Sequence, residues 1–127
     1  MLNFYKFFKS FNNIKKFKMD WNSLNSVDQL AEIDEKSKIK KQIIFKHSTR
    51  CSVSNFAKRI LLAEFSEDLK EKVDVYYLDL ISFRDLSNNI ASHYNVIHES
   101  PQLLVIENGK CVYSASHSDV SIEKALS

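Results

Sequence analysis

Residues 45–54, FKHSTRCSVS, gather the side chains of this chain best suited to sulfur chemistry. Cys51 is one of only two cysteines, and three positions beyond it, where a dithiol redox motif would carry its partner, stands Ser54. A C-x-x-S segment can attack a disulfide but cannot close one within itself. Resolution then falls to a second molecule, through a mixed disulfide with a small thiol or with a client protein. The attacking species is the thiolate, so the neighbours that favour the anion matter most. Arg50 adjoins the cysteine, and Lys46 and His47 lie just upstream, which makes the segment electropositive. Ser54 falls about one helical turn on, where its hydroxyl or backbone N–H is expected to hydrogen-bond the sulfur. Arg50, Ser52 and Ser54 are the expected thiolate-stabilising residues.

A nucleophile of this kind belongs at a helix start, where unsatisfied backbone N–H groups and the positive end of the helix dipole face the sulfur. The patterning around Cys51 supplies one. KQIIFKH (41–47) is a short apolar, β-branched run, and SVSNFAKRILLAEF (52–65) follows at helical spacing, with Phe56, Ile60 and Ala63 expected on its buried face. Ahead of them, Ser26 and Gln29 fit a capping box for a helix carrying Leu30 and Ile33. KVDVYYLDL (72–80) reads as a second strand. SFRDLSNNIASHY (82–94) reads as a helix capped by Ser82, with Leu86, Ile90 and Tyr94 on one face. QLLVIENGKCVYSAS (102–116) reads as two strands joined at Asn108-Gly109, the strongest short hairpin signal. SDVSIEKALS closes the chain as a short helix. The only proline, Pro101, stands immediately before the third strand.

The resulting order, β-α-β-α-β-β-α with an extra helix in front, joins a parallel crossover half to an antiparallel hairpin half. It is the order of the thioredoxin fold, an α/β architecture with a mixed four-stranded sheet. Residues 20–127 are expected to form this one domain. Residues 1–19 form a basic, aromatic N-terminal extension, with Phe4, Phe7, Phe8, Phe11, Ile14 and Phe17 at helical spacing and lysines between them. This segment is read as an extension ahead of the domain, an interfacial anchor being the alternative.

Composition narrows the function classes. The net charge is +2, but the first eighteen residues carry five lysines and no acid, so the remainder is mildly acidic. Nucleic-acid binding would ask for a basic face on the folded part, and none is expected. No apolar run approaches the roughly 20 residues of a membrane span, so a membrane role is not expected. Two cysteines far apart, with no secretory leader pattern, point to a reducing cytoplasm. The histidines at 47, 93, 98 and 117 form no zinc spacing with either cysteine, and no metal site is expected. Cys111 lies in an apolar strand and is read as a packing residue.

IIFKHSTRCSVSNFA, together with YNVIHESPQLLVIENGKCVYSASH, resembles the bacillithiol-system monothiol redox proteins of the YtxJ type, bacilliredoxin-like members of the thioredoxin-like superfamily. The resemblance covers about residues 20 to 122 and rests on KHS-TRC, HESPQ and SASH as a set. It implies that Cys51 takes bacillithiol off S-thiolated client proteins, with bacillithiol as co-substrate and no bound cofactor. It implies that Pro101 is a cis-proline facing the cysteine, and that Ser100 offers backbone hydrogen bonds to an extended client segment. Bacillithiol carries a malate, a glucosamine and a cysteinyl thiol, which makes Arg50, Thr49, Lys46 and His47 candidates for binding it. His117 in SASH matches the family pattern and is otherwise expected to cap the last helix. The initial eighteen residues depart from that pattern. The alternatives are an iron–sulfur or metal-binding module of the monothiol-glutaredoxin kind, which Ser52 and Val53 disfavour by replacing the glycine and phenylalanine of C-G-F-S, and a non-catalytic thioredoxin-like binding scaffold.

Overall fold

The structure, a computed structural model, describes residues 21–127; the N-terminal extension lies outside the described residues. Five strands form one sheet: β1 (Asn22–Ser23), β2 (Lys41–His47), β3 (Val73–Asp79), β4 (Gln102–Glu107) and β5 (Lys110–Ser116), in the spatial order β1-β3-β2-β4-β5. Helix α1 (Gln29–Lys36) precedes β2. Helices α2 (Ser52–Glu64) and α3 (Glu67–Lys72) join β2 to β3, α4 (Arg84–Tyr94) joins β3 to β4, and α5 (Ile122–Leu126) ends the chain.

Strand β2 lies at the centre, parallel to β3 and antiparallel to β4. With neighbours on both edges and helices on both faces, it can afford apolar residues on both sides, which is why IIF runs without alternation. Ile43 and Phe45 pack with Ala57 and Leu61 of α2 and with Val120 and Ile122. Ile44 faces the other way, against Leu30 and Ile33 of α1 and Leu86, Ile90 and Tyr94 of α4. The β4–β5 hairpin turns at Asn108 and Gly109, with φ of 52° and 75°, the left-handed pair that a two-residue primed turn requires.

Four expectations are corrected. The sheet has five strands, because Asn22 and Ser23 add a parallel edge to β3; two residues are too few to show a period. Helix α3 was not foreseen. It is six residues long with no buried residue, and it starts where the Ser66 hydroxyl accepts from the Leu69 N–H at 3.2 Å. Helix α2 buries Ser54, Ala57 and Leu61, whereas Phe56 is 56% exposed and Ala63 faces solvent. Its sequence is apolar around much of the helix, so two stripes compete on periodicity, and the narrower residues fit against the sheet. Ser82 does not cap α4: its hydroxyl donates to Asp79 Oδ2 at 2.9 Å and Phe83 occupies the cap position. The reach-back half of the α1 capping box does form, with Gln29 Oε1 accepting from the N–H groups of Asn25 and Ser26 at 2.8 and 2.9 Å.

Candidate active site

Strands β2 and β3 end, and β4 begins, at the same end of the sheet. The register aligns His47 with Asp79 and Lys46 with Gln102. That single fact brings the Ser48–Cys51 segment, which follows β2, beside the Ser100–Pro101 pair, which precedes β4. The Ser100–Pro101 peptide bond is cis. The end of β5 arrives at the same place: Ser116 aligns with Gln102, and the His117 N–H donates to Pro101 O at 3.0 Å. His117 is exposed, with φ of 56°, and opens a short 3-10 turn that packs on α2. It does not cap α5; the Ser121 hydroxyl does, accepting from the Lys124 N–H at 3.2 Å.

Cys51 is the N-cap residue of α2, with extended backbone and a half-buried side chain. Its carbonyl accepts the first helical hydrogen bond, from the Asn55 N–H at 3.0 Å, and its own N–H donates to Ser48 O at 3.2 Å. The sulfur therefore stands at the helix entry, where the first-turn N–H groups have no carbonyl to bond. Among the described residues no hydrogen bond reaches the sulfur itself. Thr49, Arg50 and Ser52 are exposed around it. Ser54 is fully buried and its hydroxyl accepts from the Ser48 N–H at 2.9 Å. The expected bond from the Ser54 hydroxyl to the sulfur is corrected accordingly: the serine ties down the approach to the cysteine.

Lys46 and His47 are also corrected. Both were expected among the candidates for binding bacillithiol, which needs them open to solvent, and both are 0% exposed. As consecutive strand residues they point to opposite faces of the sheet. His47 lies under α2. Its Nε2 donates to Asn55 Oδ1 at 3.1 Å, which leaves Nδ1 to accept from the Tyr77 hydroxyl at 2.8 Å. Asn55 in turn donates through Nδ2 to Thr49 O at 3.3 Å. Burial, and then the Lys58 charge, hold His47 below the usual histidine range, consistent with this neutral tautomer. Tyr77 stacks on Trp21 with centroids 4.7 Å apart, and the Lys58 ammonium sits 5.4 Å from both rings.

Lys46 points to the α4 face, away from α2. Its ammonium donates to Ser87 O and contacts His98 Nδ1, each at 3.3 Å, and the Ser87 hydroxyl lies 3.1 Å from the same nitrogen. No carboxylate pairs with it among the described residues, and burial pushes its pKa down to about 8. His98 is held low by burial and then by the Lys46 and Arg84 charges. Asn55, Tyr77, Ser87 and His98 were not anticipated. A signal for them existed: a polar pair ending a strand covered on both faces must find partners on both.

Cys111 cannot serve as an internal resolving thiol. It pairs with Ile106, which aligns with Gln42, five residues before His47 on β2. At about 3.3 Å per residue that is roughly 16 Å from the end where Cys51 stands, against the roughly 7 Å limit between bridged Cα atoms. Its side chain packs among the residues of the α1/α4 face, and burial pushes its thiol up. Among the described residues no three His, Cys, Asp or Glu side chains gather to hold a metal ion, and no helix is long and apolar enough to cross a membrane.

Residues 22–125 match the family described as monothiol bacilliredoxin BrxC. The chain belongs to that family. Among solved structures, a putative oxidoreductase with a thioredoxin fold superposes with a TM-score of 0.70 at 32% identity, over 83% of this chain and 89% of that one. The thioredoxin of Malassezia sympodialis superposes with a TM-score of 0.68 at 16% identity, over 86% and 89%. A redox protein from Chlamydomonas reinhardtii gives 0.67 at 17% identity, over 84% of this chain and 34% of the other. The fold of this bacilliredoxin family member is thus thioredoxin-like, and its function is a thiol redox one.

Proposed function

We propose that this protein removes bacillithiol, or a closely similar low-molecular-weight thiol, from mixed disulfides on client proteins in the cytoplasm. The observation that carries the reading is Cys51, a lone half-buried sulfur at the entry of α2, in a monothiol bacilliredoxin family member whose other cysteine lies out of reach. The Cys51 thiolate attacks the bacillithiol sulfur of the mixed disulfide. A new sulfur–sulfur bond forms, the old one breaks, and the client sulfur leaves with the electron pair as a thiolate that takes a proton from water. A second bacillithiol thiolate then attacks the adduct, releasing Cys51 and forming the bacillithiol disulfide, so two electrons pass from the small thiol to the client.

The surroundings fit each role. The first-turn N–H groups of α2 favour the anion on departing and attacking sulfur alike. Exposed Thr49, Arg50 and Ser52 border the sulfur and offer a cation and hydroxyls to a carboxylate-bearing sugar thiol. Ser100 is suited to pair with an extended client segment: its hydroxyl is buried without a partner, and its backbone makes no hydrogen bond to another described residue. Pro101, itself buried, fixes that edge opposite the cysteine.

The test is intact-mass spectrometry of the protein mixed with a client carrying one bacillithiol. The client should lose one bacillithiol while the protein gains it on Cys51, and Cys51→Ser should do neither. A wild-type protein that leaves the client unchanged, or a Cys51→Ser variant that behaves like it, refutes the reading. A coloured, iron-loaded protein on anaerobic purification would instead favour the cluster-binding alternative.

A further inference from the structure

The Cys51 loop and the Ser100–Pro101 loop are short irregular segments that must face each other across the end of the sheet, and the buried pair beneath them is Lys46 and His47. Each side chain leads, through its own chain of hydrogen bonds, to a different loop. On the α2 face, Tyr77 donates to His47, His47 to Asn55 and Asn55 to the Thr49 carbonyl, two residues before the nucleophile. On the α4 face, the Lys46 ammonium is fixed by Ser87 O and meets His98 Nδ1, two residues before Ser100. The same loop is gripped by Gln102, which donates to Ile97 O at 2.9 Å and accepts from the Glu99 N–H at 3.4 Å.

We propose that Lys46 and His47 are positioning residues for the two walls of the site, His47 with Asn55 setting the cysteine wall and Lys46 with His98 setting the client wall. Neither touches the reacting sulfur. A buried ammonium with no carboxylate is a poor stabiliser, and its placement is accounted for by what it holds. The inference rests on the proposed exchange with client proteins, because only an extended client uses the second wall; a small disulfide needs Cys51 alone.

The experiment compares three variants of the full chain: Lys46→Met, His98→Ala and Asn55→Ala. His98 and Asn55 lie outside the core, so two of the three variants keep the fold even if the first does not. Two rates are measured, with a dipyridyl disulfide and with a protein carrying a bacillithiol mixed disulfide, alongside amide hydrogen exchange. Lys46→Met and His98→Ala should lower the ratio of protein rate to small-disulfide rate roughly fivefold to tenfold, the effect of one or two hydrogen bonds. They should also speed amide exchange in residues 97–100 and not in 48–51. Asn55→Ala should lower both rates together and speed exchange in 48–51 only. Equal losses on both substrates in all three variants, or amide exchange that rises in both loops whichever side is cut, overturn the proposal. A wild-type protein inert toward the protein mixed disulfide refutes the function itself, while the amide pattern still decides the positioning.

Discussion

Replacing Lys46 by methionine should make the protein more stable, and by an amount that depends on pH. The ammonium is 0% exposed, bonds only neutral groups among the described residues, and has its pKa lowered to about 8 from 10.5, with burial the cause. A lowered folded-state value means that the unfolded chain holds the proton more tightly. Below about pH 8 both states are charged and the desolvation cost is fully present. Between about 8 and 10.5 the folded state releases the proton first, and stability rises with pH. At about 1.4 kcal/mol per unit, the wild type should gain roughly 1 kcal/mol between about pH 7 and pH 9, and roughly 3 kcal/mol in all. Methionine keeps the apolar stem and removes the charge. Urea denaturation of both proteins from about pH 7 to 9.5 should therefore give a methionine variant that starts more stable, with a lead that shrinks as pH rises. The raised thiol of Cys111 and phenols of Tyr77 and Tyr94 pull stability the other way at alkaline pH, but they are common to both proteins and cancel in the difference. A constant difference across that range, or a less stable variant at neutral pH, would refute the account of Lys46 as an uncompensated buried charge. A variant that is more stable yet slower on protein substrates would show stability spent on function.

The remaining predictions concern packing, acid and the second thiol. Leu61→Ala should cost about 2–5 kcal/mol, since its side chain is fully buried under the sheet. Phe56→Ala, with its ring half in solvent, should change stability by less than about 1 kcal/mol; thermal melts of the pair check which face of α2 packs. Because burial lowers His47 and His98, stability should fall as pH drops below about 6.5 and the unfolded chain takes up protons first. His47→Gln should flatten that fall in acid denaturation. Iodoacetamide should label Cys51 before Cys111, whose sulfur is half-buried and donates to Tyr113 O at 3.2 Å; peptide mapping of partly labelled protein reads the order.

The sequence alone determined the monothiol character, because a serine three residues past a cysteine forbids a local disulfide whatever the fold. It also determined most of the element order. The central strand shows as a β-branched run, the Asn108-Gly109 turn as a residue pair with few other conformational uses, and α4 as a clean stripe of Leu86, Ile90 and Tyr94. What it could not determine was direction in space. Lys46 and His47 read as a basic approach to Cys51, and only the pairing of β2 between β3 and β4, with helices on both faces, turned them into buried groups on opposite sides. The face of α2 was undecided for the same reason: Phe56 and Leu61 are equally apolar, and only the sheet beneath selects between them. Long-range register did the rest. It placed Ser100 and Pro101 beside Cys51 and carried Cys111 to the far end, and the chain separations involved, some fifty and sixty residues, leave no trace in local pattern. Hydrogen-bond partners such as Asn55 and His98 follow from that burial, since a polar group shut off from water must bond whatever the tertiary structure brings within reach.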